Sequence, residues 1–203
     1  MKKRRIGVLF LWFLLQEPLP VWATETVEQV VAVVNDQILF LSDLRRDALF
    51  FSEAIDLPLR KQIDRRIQHQ LLLNEARQFV LDLPSAKEIE DGVKAVRRRF
   101  RNEREFQDRL TETGMTFVEL KDAVTDRLLV STFLEERIGF FIFVTDEEVE
   151  GYYQGHQNDF TGMSPKDRSE RIQVILKTEK KKTRTEEYIS QLISRSKIQI
   201  NAR

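Results

Sequence analysis

Three times the chain places a Ser or Thr three residues ahead of a Glu: Ser85 with Glu88, Thr116 with Glu119, and Thr145 with Glu148. At that spacing the hydroxyl accepts from one orphan N–H of a helix's first turn while the Glu carboxylate accepts from another. The pattern therefore marks a helix start and leaves little else open. Apolar residues then recur at helical intervals: Ile89, Val93, Val96 and Phe100 after the first; Phe117, Leu120, Val124, Leu128, Val130, Leu134 and Ile138 after the second; Val149, Tyr152 and Tyr153 after the third. Asn102 with Glu105 starts a further short helix with Phe106 and Leu110 inward, and Gly114 is placed to end it. Upstream, Ser42 is expected to cap a helix through Phe51. Pro58 opens another to about Val80, with the stripe Leu59, Ile63, Ile67, Leu71 shifting to Leu72, Ala76 and Val80. Only 7 Gly and 5 Pro punctuate 203 residues, which excludes a many-stranded, turn-rich sandwich. The fold class is mainly α.

Two segments depart from this period. From Glu28 to Leu41, Val30, Val31, Val33 and Val34 precede Asn35-Asp36, and Ile38-Leu39-Phe40 follow, which predicts a β-hairpin. Ile198-Gln199-Ile200 alternates as a strand does. A lone strand needs a partner, so the C-terminal strand is expected to pair with the N-terminal hairpin in a small antiparallel element. Between them a last helix is expected from Pro165 to about Ser196. Its apolar patches are Ile172, Ile175, Leu176 and then Tyr188, Ile189, Leu192, Ile193, with a stretch from Thr178 to Glu187 that is polar all round. Such a helix packs only at its ends or bridges solvent.

The first 23 residues read as an export signal: Lys2 to Arg5 are basic, Ile6 to Leu15 is a short apolar run, and Val21-Trp22-Ala23 suits cleavage after Ala23. Retention as an N-terminal anchor is the alternative. The remainder, 24–203, is then one domain, with a helical part at 24–160 and the last helix and strand at 165–203. Removing four basic residues and Glu17 from 33 of each sign leaves an acidic excess of three, no footprint for nucleic acid. No second long apolar stretch follows, so no stable membrane insertion is expected after cleavage. The lack of Cys removes disulfides, thiolate catalysis and Cys-ligated zinc together.

Residues suited to chemistry are few. His69 and His156, the only histidines, stand in no metal-ligand spacing and read as surface or partly packed side chains. There is no Gly-rich phosphate loop and no nucleophile elbow, and no cofactor is implied. The acids Asp146-Glu147-Glu148 suit a helix N-terminus. Leu49-Phe50-Phe51 and Gly139-Phe140-Phe141-Ile142-Phe143 hold more aromatic surface than one helical face buries. The plain reading of these segments is core packing. The sharper reading is an apolar groove lined by Phe50, Phe51, Phe140, Phe141 and Phe143.

Val31-Ala32-Val33-Val34-Asn35-Asp36-Gln37-Ile38 followed by Leu41-Ser42-Asp43-Leu44 resembles the opening of the SurA N-terminal chaperone domain. Similar too are Ile63-Asp64-Arg65-Arg66-Ile67 running into Gln70-Leu71-Leu72-Leu73-Asn74-Glu75-Ala76, and Gly114-Met115-Thr116-Phe117 through Val130-Ser131-Thr132-Phe133-Leu134. Val144-Thr145-Asp146-Glu147-Glu148-Val149 and the span from Asp167 to Ile200 complete the set, in the family's order. The resemblance implies one SurA-like core module and a periplasmic, ATP-independent holdase. Its partners would be unfolded polypeptide clients, outer-membrane proteins above all, and it would need no cofactor. One departure is marked. Family members usually insert parvulin-type isomerase domains between the two halves, whereas Phe160 and Arg168 are separated here by a short polar loop, and the parvulin pattern is absent. The expectation is therefore a protein that is not an enzyme. A peptidyl-prolyl isomerase-family protein, inactive or acting with a separate isomerase, and an envelope adaptor for one folded partner are the alternatives. A homodimer formed by exchange of the last helix stays open.

Overall fold

The computed structural model describes residues 28–51, 57–80 and 82–201; the export-signal segment and its cleavage position lie outside them. The described chain runs β1 (Val30–Val34), β2 (Gln37–Phe40), α1 (Leu41–Phe51), α2 (Leu59–Phe79), α3 (Ala86–Arg97), α4 (Glu103–Thr113), α5 (Phe117–Arg137), α6 (Asp146–Gly155), α7 (Pro165–Ser194) and β3 (Ile198–Ile200). Short 3₁₀ turns occupy Gly139–Phe141 and Gln157–Phe160.

The expected helix starts form as hydrogen-bonded caps. Ser85, Thr116 and Thr145 each accept from the backbone N–H three residues on, and Glu88, Glu119 and Glu148 each accept in return. Asn102 caps α4 through Glu105 N–H, and Gly114 ends it at φ 61°, where a side chain would be strained. The start of α1 differs from expectation. It begins at Leu41, straight out of β2, and Ser42 is no cap. Asp43 Oδ2 accepts from Phe40 N–H at 2.9 Å, while the Ser42 hydroxyl donates to Glu28. No connecting residue separates strand from helix, so the acid one turn in takes the capping role.

The sheet has the order β2-β1-β3, both pairings antiparallel, so the two ends of the described chain do meet. A bulge in β1 between Val30 and Ala32 lets Val31, Ala32 and Val34 all reach the interior. Asn35 makes the hairpin turn at φ 53° and also clamps β3. Its N–H donates to Lys197 O (2.7 Å), and its Oδ1 accepts from Lys197 N–H (3.0 Å). Asn35→Ala loses the side-chain bond and a residue type that tolerates the left-handed region. It is expected to cost about 1–2 kcal/mol, read as a lower urea midpoint at unchanged slope.

Three apolar clusters organise the helices. The largest joins the sheet (Val31, Val34, Leu39) to α2 (Ile63, Ile67, Leu71, Leu72, Leu73, Ala76), the second half of α5 (Leu129, Val130, Phe133) and Leu192 of α7. Helix α2 is buried on several sides, which is why Leu71, Leu72 and Leu73 are all inward; Leu59, at its start, is half-exposed and outside this core. The second cluster packs Phe50 of α1 with Val93, Val96, Phe106, Leu110, Leu120 and Val124 from α3, α4 and α5. A small third cluster holds Val149, Phe160 and Ile172.

Helix α7 links the first cluster to the third. Ile172 and Leu192 are its two buried residues, near opposite ends. Its polar middle is held by ion pairs: Lys180 with Glu148 and Lys181 with Glu135. Only Thr161 to Ser164 join the Gln157–Phe160 turn to α7, and Ser164 caps it ahead of Pro165.

Candidate functional site

The five phenylalanines expected to line one groove do not come together. Phe50 is fully buried, with ring centroids 5.8 Å from Phe100 and 6.4 Å from Phe106, so it is a core side chain. In a helix, neighbouring residues point about 100° apart, so the adjacent ring turns elsewhere. Phe51 is partly buried and lies beneath the Arg127 guanidinium, 3.6 Å from its ring centroid. The other three are exposed: Phe140 74%, Phe141 65% and Phe143 72%.

Their exposure has a local cause. Helix α5 stops at Arg137, and Ile138, buried, leaves helical geometry at φ −121°. The 3₁₀ turn that follows is closed by Phe141 N–H donating to Ile138 O and Ile142 N–H to Gly139 O. With Gly139 buried at the base of this turn, the rings after it project outward, and Phe140 and Phe141 meet edge to face at 5.4 Å. The segment is anchored through its backbone: Lys180 Nζ donates to Phe143 O (2.7 Å) and pairs with Glu148 at 2.6 Å. The Lys180 hydrogen bond, with the cap bond from Thr145, holds Glu148 below the usual carboxylate range. At Phe141 opens a cleft of about 380 Å³ lined by apolar Ile138, Phe141, Ile142 and the Tyr188 ring together with charged Arg137, Arg184 and Glu187. An apolar ridge on a fixed backbone, next to charged side chains, suits an extended apolar segment.

A second cleft, of about 480 Å³, lies between α1, α2, α3 and α5. At its centre Asp47 pairs with Arg127 (2.8 Å) and with Arg66 (3.3 Å), and Arg99 donates to the carbonyl of Phe50 (3.0 Å). Among the described residues, Arg66 Nε is buried with no hydrogen-bond partner. His69 sits 3.5 Å from Arg127; burial first, then the charges of Arg127 and Arg66, push its pKa down to about 4, so the imidazole is neutral. Sequence spacing carries no sign of this group, because its members come from separate helices and from positions between the apolar stripes. His156 is exposed and stacks on Tyr152 at 4.1 Å between centroids. Among the described residues no group of side chains is arranged to hold a metal, and no helix is long and apolar enough to cross a membrane.

The depressed His69 makes a pH prediction. Between about pH 6.5 and pH 4 the unfolded chain takes up a proton that the folded chain refuses. Stability is therefore expected to fall as pH drops through that window, by up to about 3 kcal/mol. Thermal melts at pH 7 and 5.5 check this: the midpoint should drop in the parent and drop less in His69→Gln.

No family model matches the chain. Chaperone SurA of Legionella pneumophila (strain Paris) is 26% identical over 139 residues, covering 63% of this chain and 32% of that protein. Chaperone SurA of the Lens strain is 25% identical over the same length. Foldase protein PrsA of Clostridium acetobutylicum is 30% identical over 92 residues, 45% of this chain and 27% of its own. The chain thus spans about a third or less of the length of the curated relatives it matches.

Proposed function

We propose, for a chain distantly related to the SurA chaperones and PrsA foldases, that it is an ATP-independent periplasmic holdase with no catalytic activity of its own. The observation that carries this reading is the exposure of three rings close in sequence, Phe140, Phe141 and Phe143, of which Phe141 also lines the cleft at Tyr188. Burying large apolar side chains of a partner against such a surface stabilises a complex by roughly 25 cal/mol per Å² of apolar area. It requires no defined partner sequence, which is what a holder of unfolded chains needs. The clients are unfolded polypeptides, outer-membrane proteins among them. Charged side chains lining the cleft, Arg137, Arg184 and Glu187, keep the loaded surface wettable.

The test dilutes a denatured outer-membrane porin into buffer with and without the chain from Thr24, in the absence of ATP, and follows light scattering. Suppression near a one-to-one ratio is the expected result. No suppression at large excess overturns the reading. A proline-peptide isomerisation assay on the same sample should show no acceleration.

A further inference from the structure

We propose that the cleft between α1, α2, α3 and α5 binds the C-terminal carboxylate of a polypeptide whose last side chain is large and apolar. This rests on the chain being a binder of unfolded polypeptide, and it names a feature of the client at a site separate from the exposed rings.

The first ground is charge. Among the described residues lining the cleft, Arg65, Arg66, Arg99 and Arg127 present guanidinium groups and Asp47 is the one acid. Even with Arg65 left aside, three cations stand against one anion, a positive excess in a partly dry concavity, where electrostatic attraction is stronger than in water. The second ground is an unmet donor. Arg66 Nε is buried without an acceptor among the described residues, an arrangement that costs free energy until something accepts from it. The third is the species already selected. Asp47 is held by two guanidiniums at 2.8 and 3.3 Å, and the planar fork of arginine matches a carboxylate. His69 beside them is neutral, so the positive charge facing a second carboxylate comes from the arginines.

The walls decide what carries the carboxylate. Leu44, Phe51 and Val96 line the same cleft, and a volume of about 480 Å³ lies in the range that holds one or two residues. A small hydrated anion such as phosphate leaves those walls uncovered, and its double charge sits against Asp47. An Asp or Glu side chain brings its carboxylate at the tip, with polar backbone behind it. A chain terminus places the carboxylate on the same carbon as the last side chain, so one residue meets both the arginines and the apolar wall.

The test uses fluorescence anisotropy with the purified protein and one labelled octapeptide ending in Phe, made as free acid and as C-terminal amide. The acid is expected to bind at least roughly tenfold more tightly, the usual worth of charge-assisted hydrogen bonds. Arg99→Gln should shrink that ratio, since the Arg99 guanidinium donates to Phe50 O and borders the cleft without sharing in the Asp47 ion pairs. Asp47→Asn removes the resident competitor and should raise the affinity of the acid; because it also breaks two ion pairs, Arg99→Gln is the variant that decides. N-acetyl-phenylalanine should displace the peptide at lower concentration than inorganic phosphate. Equal binding of acid and amide overturns the proposal. So does an acid preference untouched by Arg99→Gln, or stronger displacement by phosphate. Porin protection without acid preference removes the cleft proposal alone. Acid preference without porin protection removes the holdase reading and leaves the cleft.

Discussion

Replacing Phe140, Phe141 and Phe143 together by serine is expected to abolish suppression of porin aggregation while leaving the folded chain almost as stable as before. All three rings are at least 65% exposed, so little packing is lost; surface changes of this kind usually stay within about 0.5 kcal/mol each. The edge contact between Phe140 and Phe141 goes with them, yet no buried cluster includes either ring. On the client side the loss is large. Each ring can remove roughly 1.5–3 kcal/mol of burial from a complex. Even after heavy discount for side-chain ordering, client affinity should fall by about a hundredfold or more. The control is Leu83→Ser with Val174→Ser, two residues 75% and 67% exposed elsewhere on the surface. If that pair impairs protection as much as the triple variant does, general surface hydrophobicity is at work and the ring surface loses its assignment.

Phe50→Ala should act in the opposite manner, collapsing stability and reaching client binding only through unfolding. Its ring is wholly enclosed by Phe100, Phe106 and the apolar side chains of α3 to α5. Emptying such a site costs roughly 3–5 kcal/mol, transfer and cavity together. Domains are stable by only about 5–15 kcal/mol, so the thermal midpoint should drop by about 10 °C. Phe51→Ala, one residue on, removes a ring lying under a guanidinium and should cost about 1–2 kcal/mol. Calorimetry on the two variants separates them: equal losses would mean that the burial of Phe50 is misassigned.

Much of the fold is legible in the amino-acid sequence. The helix starts at Ser85, Asn102, Thr116 and Thr145 can be read there because a cap is a local bond among residues three apart. The strand partnership of residues near 33 and 199 is legible too, by elimination of other partners. The burial of Phe50 is not. Helix α1 sends Leu44 into the first cluster and Phe50 into the second, so its inward residues never form one stripe. The arginine cleft is equally hidden: Asp47, Arg66, Arg99 and Arg127 meet only when the helices assemble, and in sequence each looks like an ordinary solvated charge.

The pairing of β1 with β3 has a kinetic consequence. Val33 and Gln199 face each other across about 165 residues of intervening chain, whose closure must be accomplished before either strand gains from the other. Contacts so distant along a chain slow folding. A chain that is made, and threaded through any export channel, from its N-terminus exposes Val31, Ala32 and Val34 long before Ile198–Ile200 arrives. Until then the strand is an open edge of the kind that nucleates aggregation. On its way to the native state, the protein therefore passes through an edge-exposed stage of its own.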